Sequence, residues 1–382
     1  MSAVELCGIG KSYRGARILQ DLDLHVESGQ YVVLLGPSGC GKTTTLRIIA
    51  GLEPPDAGTV RIDGREVSST PPSQRDVAMV FQDDALYPHL TVRQSIAYGL
   101  RCIVSREESD RRITEAAEMV SVASLLDRRP RGLSGGELRR ASVAKAIARR
   151  APVRLLDEPL SAVDASAVHT IQDDLLRWHR SYPGTTLHVT HDGNEAMRMA
   201  DKIAVMDDGR VVQFDTPTEI YRRPSTVDVA VAVGWPPISF LKASWSNGLL
   251  QFVDVPGFDQ ASGETASIPS AGLSDLRAGL GELPAGLDDQ DRALLIGIRP
   301  DHWRNSSEQT DDQVPAIAID AQLLSLRQID HRWMASFQIG ATFVSAMFAS
   351  PDKLVVGQTH RINAAIGNLH IFDAASRRRL GH

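Results

Sequence analysis

Cysteine is scarce in this sequence, which has only Cys7, Cys40 and Cys102 among 382 residues. The number is odd and the spacing matches no metal-ligand motif, so the sequence predicts neither a disulfide scaffold nor a cysteine-ligated metal. Sparse cysteines of this kind are typical of proteins in a reducing compartment.

Long hydrophobic runs are also missing. No stretch of about 18 or more apolar residues occurs, and the N-terminal residues MSAVELCGIGKSY lack the charged-then-apolar pattern of a signal peptide. We therefore expect that the chain does not cross a membrane by itself and that it lies in the cytoplasm.

An excess of positive charge is the third absence. The chain has 41 Lys and Arg residues against 47 Asp and Glu residues, and its formal net charge is -6. The basic residues are scattered along the sequence and are not gathered in one stripe. We therefore expect no nucleic-acid partner.

The composition and patterning predict two domains. Residues 1–235 alternate short runs of Val, Leu and Ile with longer amphipathic stretches, a pattern typical of an α/β fold with a parallel sheet. Residues 236–382 begin with two prolines, continue through a segment rich in Gly, Ala and Ser, and contain the strand-like runs LLIGIRP, WMASFQI, TFVSAMF and NLHIF. They predict a smaller, mainly β domain. No internal repeat is visible, so the first domain is a single unit and not a tandem pair.

The first domain contains a complete phosphate-binding motif. The residues GPSGCGKT match G-x-x-x-x-G-K-[ST], and they follow the strand-like YVVLL and precede the helix-like TTTLRIIAGL. The glycines let backbone N–H groups turn toward phosphate oxygens, Lys42 reaches the β and γ phosphates, and the Thr43 hydroxyl is a ligand for Mg²⁺. The residues assigned to ATP binding in this loop are Gly36, Pro37, Ser38, Gly39, Cys40, Gly41, Lys42, Thr43 and Thr44.

Polar residues follow three further apolar strands. Gln82 comes after VAMVF, Asp157 and Glu158 come after VRLL, and His191 comes after TLHVT. The carboxyl ends of parallel strands share one edge of the sheet, so we expect these residues to gather near the phosphate loop. Each has a structural alternative, such as a satisfied histidine or a carboxylate that caps a turn. Together they predict a nucleoside triphosphatase.

Chemistry assigns these residues their roles. Thr43, Gln82 and Asp157 are the predicted Mg²⁺ ligands, and Glu158 is the predicted base for the water that attacks the γ phosphate. Gln82 also contacts that water, and His191 bonds the γ phosphate and keeps the water and Glu158 in line. Tyr13, in KSYRG, has a ring on which adenine can stack, although an ordinary core aromatic is the alternative.

Two further helix starts are predicted. LSGGELRR begins a helix suited to an anion, because Ser134 is a good N-cap and Gly135 and Gly136 let the helix N-terminus approach closely. A plain N-cap in a tight turn is the alternative. Another helix is predicted to begin with a capping box formed by Thr91 and Gln94.

Taken together, the motifs resemble those of the ATP-binding subunits of ATP-binding-cassette (ABC) transporters, and within them the maltose-importer-like sugar branch. The resemblance covers nearly the whole chain and rests on GPSGCGKTT, MVFQDDALYPHLTV, LSGGELRRASVAKAI, LLDEPLSAVDA and VTHDGNEAMRMADKIAVMDDGR, in that order. VGWPPISFL and GIRPDHW resemble the start and middle of that branch's C-terminal β domain.

The resemblance implies a P-loop NTPase (RecA-like) ABC ATPase domain at 1–235, with a helical subdomain at about 86–150. An oligonucleotide-binding-like, β-rich regulatory domain would follow at 236–382. ATP and Mg²⁺ are the implied cofactors. The implied assembly is a homodimer, or a pair with a paralogous cassette, closed head to tail over two ATP molecules. The residues that would then face the partner copy are Ser134, Gly135, Gly136 and Glu137 on its ATP and Asp164 in the dimer loop.

The resemblance also implies membrane partners. These are two permease subunits and an extracytoplasmic solute-binding protein. A short permease helix would lie in a groove near Leu86, Tyr87 and Leu90, and the alternative is that these three residues fill the core of their own subdomain. The chain would be a peripheral protein on the cytoplasmic face of a bacterial membrane, its transported molecule would be a carbohydrate or related small solute, and its C-terminal domain would be a place for a regulatory protein.

The alternative functions are a soluble ABC-type ATP-dependent switch that moves no solute and a regulatory binding module. Such switches usually have two cassettes, long coiled insertions or basic patches, and this sequence has none of them. The presence of Glu158 and His191 argues against a binding module.

Four residues depart from the pattern of the family. Glu137 stands where Gln is usual, Arg154 lies in a strand that is normally apolar, Val163 replaces a usual Leu, and Trp235 replaces a frequent Ser. None removes a predicted catalytic group. We expect Arg154 to run its stem along the strand and to direct its charge to solvent.

Overall fold

The computed structural model describes residues 3–81, 86–101, 103–161, 163, 165–246, 249–253, 292–305 and 316–381. Its contacts divide the chain into two units, Met1–Thr218 and Glu219–His382. Among the described residues, no helix is both long and apolar enough to cross a membrane. The segment rich in Gly, Ala and Ser at 261–291 lies outside these ranges, and the domain boundary at 235 stays a prediction.

A parallel sheet forms the centre of the first unit. The strands of this unit are β1 (Val4–Tyr13), β2 (Ala16–Val26), β3 (Tyr31–Leu35), β4 (Ala57–Ile62), β5 (Arg65–Glu66), β6 (Val77–Val80), β7 (Val153–Asp157), β8 (Thr185–Thr190), β9 (Lys202–Asp207) and β10 (Arg210–Asp215). The central sheet has the order β10-β9-β3-β8-β7-β6, and only β10 runs antiparallel to its neighbour. The predicted α/β fold with a parallel sheet is therefore confirmed.

The central strands are apolar because they are buried on both faces. All residues of β3, β7 and β8 are buried, which explains the unbroken run YVVLL. The carboxyl ends of these three strands lie at one edge of the sheet, and each is followed by a predicted site residue. A second, antiparallel sheet with the order β2-β1-β4-β5 packs its apolar side chains into the same core.

The first unit also contains α-helices. They are α1 (Lys42–Ala50), α2 (Val92–Leu100), α3 (Arg106–Met119), α4 (Gly135–Arg149), α5 (Ala165–Ser181) and α6 (Gly193–Met199). The capping box of Thr91 and Gln94 at the start of α2 is confirmed, since each side chain bonds the other's backbone N–H. Helices α2, α3 and α4 come between β6 and β7 in the sequence and contact one another.

The second unit is mainly β structure. Its elements are α7 (Pro217–Arg222, which begins in the first unit), α8 (Val227–Ala232), β11 (Ser239–Ser246), β12 (Leu249–Phe252), β13 (Arg292–Ile298), β14 (Trp303–Asn305), β15 (Ala316–Ile329), β16 (Arg332–Ile339), β17 (Thr342–Phe348), β18 (Thr359–Ala365) and β19 (Leu369–Asp373). Two antiparallel sheets, β12-β11-β13-β19 and β14-β18-β15-β16-β17, enclose a core that includes Trp303 and Phe337. The prediction of a β-rich C-terminal region is confirmed.

Candidate nucleotide site

The phosphate loop connects β3 to α1 and has a backbone that requires glycine. Gly41, the N-cap of α1, has a φ of 105°, and a Cβ atom there would lie 2.5 Å from Leu19 Cδ2. At Gly36 a Cβ atom would lie 2.2 Å from the backbone oxygen of Met206. No acidic residue occupies the first turn of α1, so its N–H groups and dipole are available to an anion.

Lys42 places a positive charge inside this loop. Its side chain is buried, and Nζ donates hydrogen bonds to the backbone oxygens of Gly36 at 2.7 Å and Pro37 at 2.8 Å. Cys40 Sγ lies 3.8 Å from the same ammonium group. The loop thus combines a cation with the N–H groups of a helix start, which is the arrangement that phosphate groups require.

Two predicted metal ligands lie next to each other. Thr43 Oγ1 donates a hydrogen bond of 2.9 Å to Asp157 Oδ1, and Asp157 is buried at the end of β7. Burial raises the pKa of Asp157 above its ordinary value, against the hydrogen bond from Thr43, which lowers it. A cation would favour the charged form of this buried carboxylate. Hydroxyl and carboxylate oxygens fit Mg²⁺, which is commonly held by one or two carboxylates together with substrate phosphates.

Glu158 and His191 lie together at the edge of the sheet. Glu158 Oε1 is 3.4 Å from His191 Nδ1, although the two residues are 33 positions apart in the sequence. The backbone of Glu158 has a φ of 45°, a left-handed conformation that is uncommon for a residue other than glycine. Its N–H donates to the backbone oxygen of Val189 at 3.0 Å. The fold therefore holds the candidate base in a conformation that a glutamate seldom adopts by itself.

A cleft of about 320 Å³ contains the phosphate loop, Glu158 and Tyr13. Its lining residues are Tyr13, Ile18, Ser38, Gly39, Gly41, Lys42, Thr43, Thr44 and Glu158. The volume is in the range of small-molecule sites. Tyr13 is partly exposed, and Lys11 Nζ lies 5.3 Å from its ring centroid. This placement fits a ring that stacks on a base better than it fits a core aromatic.

The start of α4 is a capped helix end outside this cleft. Ser134 Oγ accepts from the N–H of Glu137 at 3.4 Å, and Glu137 Oε2 accepts from the Ser134 backbone at 2.8 Å and from its hydroxyl at 2.9 Å. These hydrogen bonds, first that from the Ser134 backbone, lower the pKa of Glu137. A Cβ atom on Gly136 would meet nothing within 4 Å. None of Ser134, Gly135, Gly136 and Glu137 lines the cleft of its own chain.

Two predicted site residues, Gln82 and Asp164, lie outside the described residues.

The expectation that Arg154 directs its charge to solvent is wrong. Its side chain is fully buried, 4.5 Å above the Trp178 ring, and it donates to the backbone oxygens of Tyr182 at 2.5 Å and Pro183 at 3.3 Å. Burial lowers its pKa to about 10. Carbonyl acceptors and an aromatic face hold the charge inside, where the sequence suggested an exit to solvent.

Sequence reasoning missed a buried polar chain that supports the turn carrying His191. Thr190 Oγ1 accepts from the Asp192 N–H at 3.0 Å and donates to Glu195 Oε2 at 2.6 Å. Glu195 Oε1 lies 2.9 Å from His188 Nε2, and Tyr31 Oη lies 2.8 Å from His188 Nδ1. The spacing of Glu195, four residues after His191 at the start of α6, was the available signal.

The sequence is similar to those of known proteins. A family model described as "ABC transporter" matches residues 19–161. The sulfoquinovosyl glycerol transport ATP-binding protein SmoE of Agrobacterium fabrum is 38% identical over 99% of both chains. The sn-glycerol-3-phosphate import ATP-binding protein UgpC of Burkholderia pseudomallei is 38% identical over 100% of both chains.

Solved structures show the same likeness. The dimeric structure of MJ0796, a bacterial ABC transporter cassette, has a TM-score of 0.53 and 30% identity, and the match covers 56% of this chain and 98% of that one. A dimeric post-hydrolysis state of the same cassette, bound to ADP and Pi, has a TM-score of 0.52 and 29% identity, over 56% of this chain and 98% of that one.

Proposed function

Because the chain belongs to the ATP-binding subunits of ABC importers and is an ATPase of that family, we propose that it drives uptake of a carbohydrate or related small solute. The ATP hydrolysis that would drive this uptake is supported by one observation above all: Glu158 and His191 meet beside a phosphate loop whose Thr43 contacts Asp157. The names of the relatives, which refer to sulfoquinovosyl glycerol and to sn-glycerol-3-phosphate, support this solute class.

The proposed chemistry is hydrolysis of the γ phosphate of ATP. Lys42 and the N-terminus of α1 hold the phosphates, while Thr43, Asp157 and Gln82 hold Mg²⁺. Mg²⁺, when bound, neutralises charge on the β and γ oxygens. Glu158 accepts a proton from the attacking water, and His191 bonds the γ phosphate and keeps that water in line. Tyr13 stacks on the adenine ring at the other end of the cleft.

We further propose that each nucleotide is shared by two copies of the chain. Ser134, Gly135, Gly136 and Glu137 form a helix start that does not line its own cleft, so it is suited to the ATP of a second copy. Asp164 would contact the partner copy beside that site. The dimeric state of the solved cassettes supports this assembly.

A second groove fits the proposed permease partners. Its volume is about 270 Å³, and its lining includes exposed Leu52 and Phe81 together with Lys145. Tyr87 packs against Tyr98 beside it, with Lys145 Nζ 4.9 Å from the Tyr87 ring centroid. We propose that a short permease helix inserts its apolar side chains here while the chain rests on the cytoplasmic face of the membrane. A solute-binding protein would deliver solute on the other side.

The proposal is tested by assembly with permease subunits and by stimulation of the ATPase rate. Co-expressed permease subunits should co-purify with this chain, and in proteoliposomes its ATPase rate should rise when solute-loaded binding protein is added. Leu52→Asp should strongly reduce co-purification, because it replaces an apolar contact with a hydrated carboxylate that costs free energy to bury. Val356→Asp, at another exposed apolar residue, in the second unit, is the control. Unchanged co-purification of Leu52→Asp would reject the groove, and a rate insensitive to the binding protein would reject the importer role.

A further inference from the structure

Arg139, in the second turn of α4, reaches from the helix of the LSGGE motif to the end of β7. Its side chain is buried, with 2% of its surface exposed. Nε donates to the backbone oxygen of Pro159 at 2.8 Å, and Nη2 donates to the backbone oxygens of Asp157 at 2.8 Å and Glu158 at 2.5 Å. Nη1 donates to the backbone oxygen of Phe81. One guanidinium group therefore holds the backbone on both sides of the proposed base.

These acceptors are parts of the catalytic framework. Asp157, Glu158 and Pro159 are consecutive, and Phe81 directly precedes the proposed metal ligand Gln82. The planar guanidinium presents its N–H groups in a rigid fork, so it fixes the relative positions of several carbonyl groups, which a flexible lysine does not do. Hydrogen bonds with a charged donor are also stronger than those between neutral groups.

The backbone at Glu158 needs such support. A φ of 45° is a strained conformation for a glutamate, and strained conformations persist only where the surrounding structure fixes them. The N–H of Glu158 donates to Val189, and its carbonyl accepts from Arg139 and from the N–H and hydroxyl of Ser161. Arg139 is the charged donor among these and also bonds the carbonyl groups of Asp157 and Pro159. Without Arg139 this carbonyl keeps only the neutral donors of Ser161, and we expect the peptide after Glu158 to shift and to move the carboxylate away from His191.

We propose that Arg139 is a positioning residue for ATP hydrolysis. It holds Glu158 where the carboxylate faces the attacking water. Because it lies two residues after Glu137, it also links the position of this base to the contact between the start of α4 and the nucleotide of the partner copy. This role rests on the proposed function, and it makes hydrolysis at one site sensitive to occupation of the other.

A buried arginine elsewhere in the same unit provides a matched control. Arg75 is 5% exposed and donates to the backbone oxygens of Ile48, Ile49, Thr70 and Ser68 at 2.7, 2.9, 2.8 and 3.1 Å. It thus resembles Arg139 in burial and in its carbonyl acceptors, but it supports the C-terminal end of α1. Replacing either arginine with methionine removes the donors and keeps most of the side-chain volume.

The experiment compares Arg139→Met, Arg139→Gln and Arg75→Met with the unaltered protein. It measures kcat, the Hill coefficient for ATP, the affinity for a fluorescent ATP analogue and the midpoint of thermal unfolding. We expect Arg139→Met to lower kcat by about tenfold or more, since a displacement of about 1 Å can cost ~10²-fold. Its Hill coefficient should fall while its affinity for the analogue changes little. Arg139→Gln should recover part of kcat, because an amide donates to at least one carbonyl group. Arg75→Met should lower the unfolding midpoint but keep kcat.

Several results would overturn the role of Arg139. A wild-type kcat in both Arg139 variants does so, and so does an equal loss of kcat in Arg75→Met, which would indicate general destabilisation. If Arg139→Met does not fold, a normal kcat and Hill coefficient in Arg139→Gln would be enough to reject the proposal. Glu158→Gln separates the two levels: normal turnover there contradicts the proposed role of Glu158 as the base, whereas its loss beside an active Arg139→Met contradicts only the positioning role.

Discussion

At the residue scale, neighbouring carboxylates are placed for different tasks. Asp157 is buried beside Thr43, where the raised pKa of its carboxyl calls for a cation. The backbone of Glu158 itself is left-handed, with a φ of 45°, and its carboxylate lies 3.4 Å from His191 Nδ1. A change in backbone conformation between adjacent residues is thus what separates the proposed metal ligand from the proposed base.

We predict that Glu158→Gln retains ATP binding but lowers kcat by about 10²-fold or more, the usual size of a general-base contribution. The amide keeps the size of the side chain but does not accept the proton of the attacking water. Phosphate release at saturating MgATP measures the rate, and Glu66→Gln, on exposed β5, is the control. A rate close to that of the unaltered protein would remove Glu158 from the mechanism.

Cys40 provides a second prediction at this scale. Burial raises the pKa of its thiol, which outweighs the nearby Lys42 ammonium that lowers it, so little thiolate exists at neutral pH. Alkylation should therefore be slow at pH 7 and faster as the pH rises. Modification should inhibit the ATPase, and MgATP should protect the thiol, since Cys40 lies within the phosphate loop. Equal inhibition of a Cys40→Ser variant would place the sensitive thiol elsewhere, for example at exposed Cys7.

At the element scale, buried polar side chains support the turn between β8 and α6. Thr190, Glu195, His188 and Tyr31 connect this turn to β3, the strand that leads into the phosphate loop. Burial alone would raise the pKa of Glu195, but His188 and Thr190 outweigh it and hold this pKa below its ordinary value. The position of His191 therefore depends on a buried carboxylate that never touches the nucleotide site.

We predict that Glu195→Leu lowers kcat by about tenfold through misplacement of His191 and that Glu195→Gln retains more activity, because its amide oxygen still accepts from Thr190. ATP affinity should change little in both variants. If Glu195→Leu hydrolyses ATP normally, the polar chain does not position the turn.

The lowered pKa of Glu195 also gives a pH dependence with a definite sign. A carboxyl group whose pKa is lower in the folded state stabilises the protein above its unfolded pKa of about 4.3, and this contribution is lost as the pH falls through the folded value. Urea unfolding at pH 7 and at acid pH measures it. Glu195→Gln should lose less stability on acidification than the unaltered protein, and an equal loss would contradict the assignment.

Across the whole molecule, the features that the sequence predicts correctly are those that depend on residues close together in the chain. The parallel sheet, the β-rich second region and the start of α2 follow from apolar runs and capping residues, and the meeting of Glu158 with His191 follows from strand ends that share an edge. The hydrogen-bond acceptors of Arg139 and Arg154 could not be predicted from the sequence, because they are backbone carbonyl groups that only tertiary packing brings together. When a side chain bonds backbone groups from other segments of the chain, no periodic pattern in the sequence indicates that contact.

The central claim is that two copies of the chain share each nucleotide. It is tested with two variants, both in a Glu158→Gln background that traps ATP. Lys42→Ala removes the charge of the phosphate loop, and Ser134→Arg blocks the start of α4. In a mixed dimer with shared sites, one site carries both lesions and the other carries neither, because the intact phosphate loop of one chain faces the intact α4 of the other.

The most direct measurement is therefore the amount of MgATP that remains occluded after the two variants are mixed and free nucleotide is removed. We expect mixing to restore occlusion at one site in each mixed dimer, while either variant alone retains almost none. If mixed dimers form but retain no more ATP than the separate variants, Ser134 and its neighbours act on their own chain's nucleotide or on none, and the shared-site mechanism is contradicted.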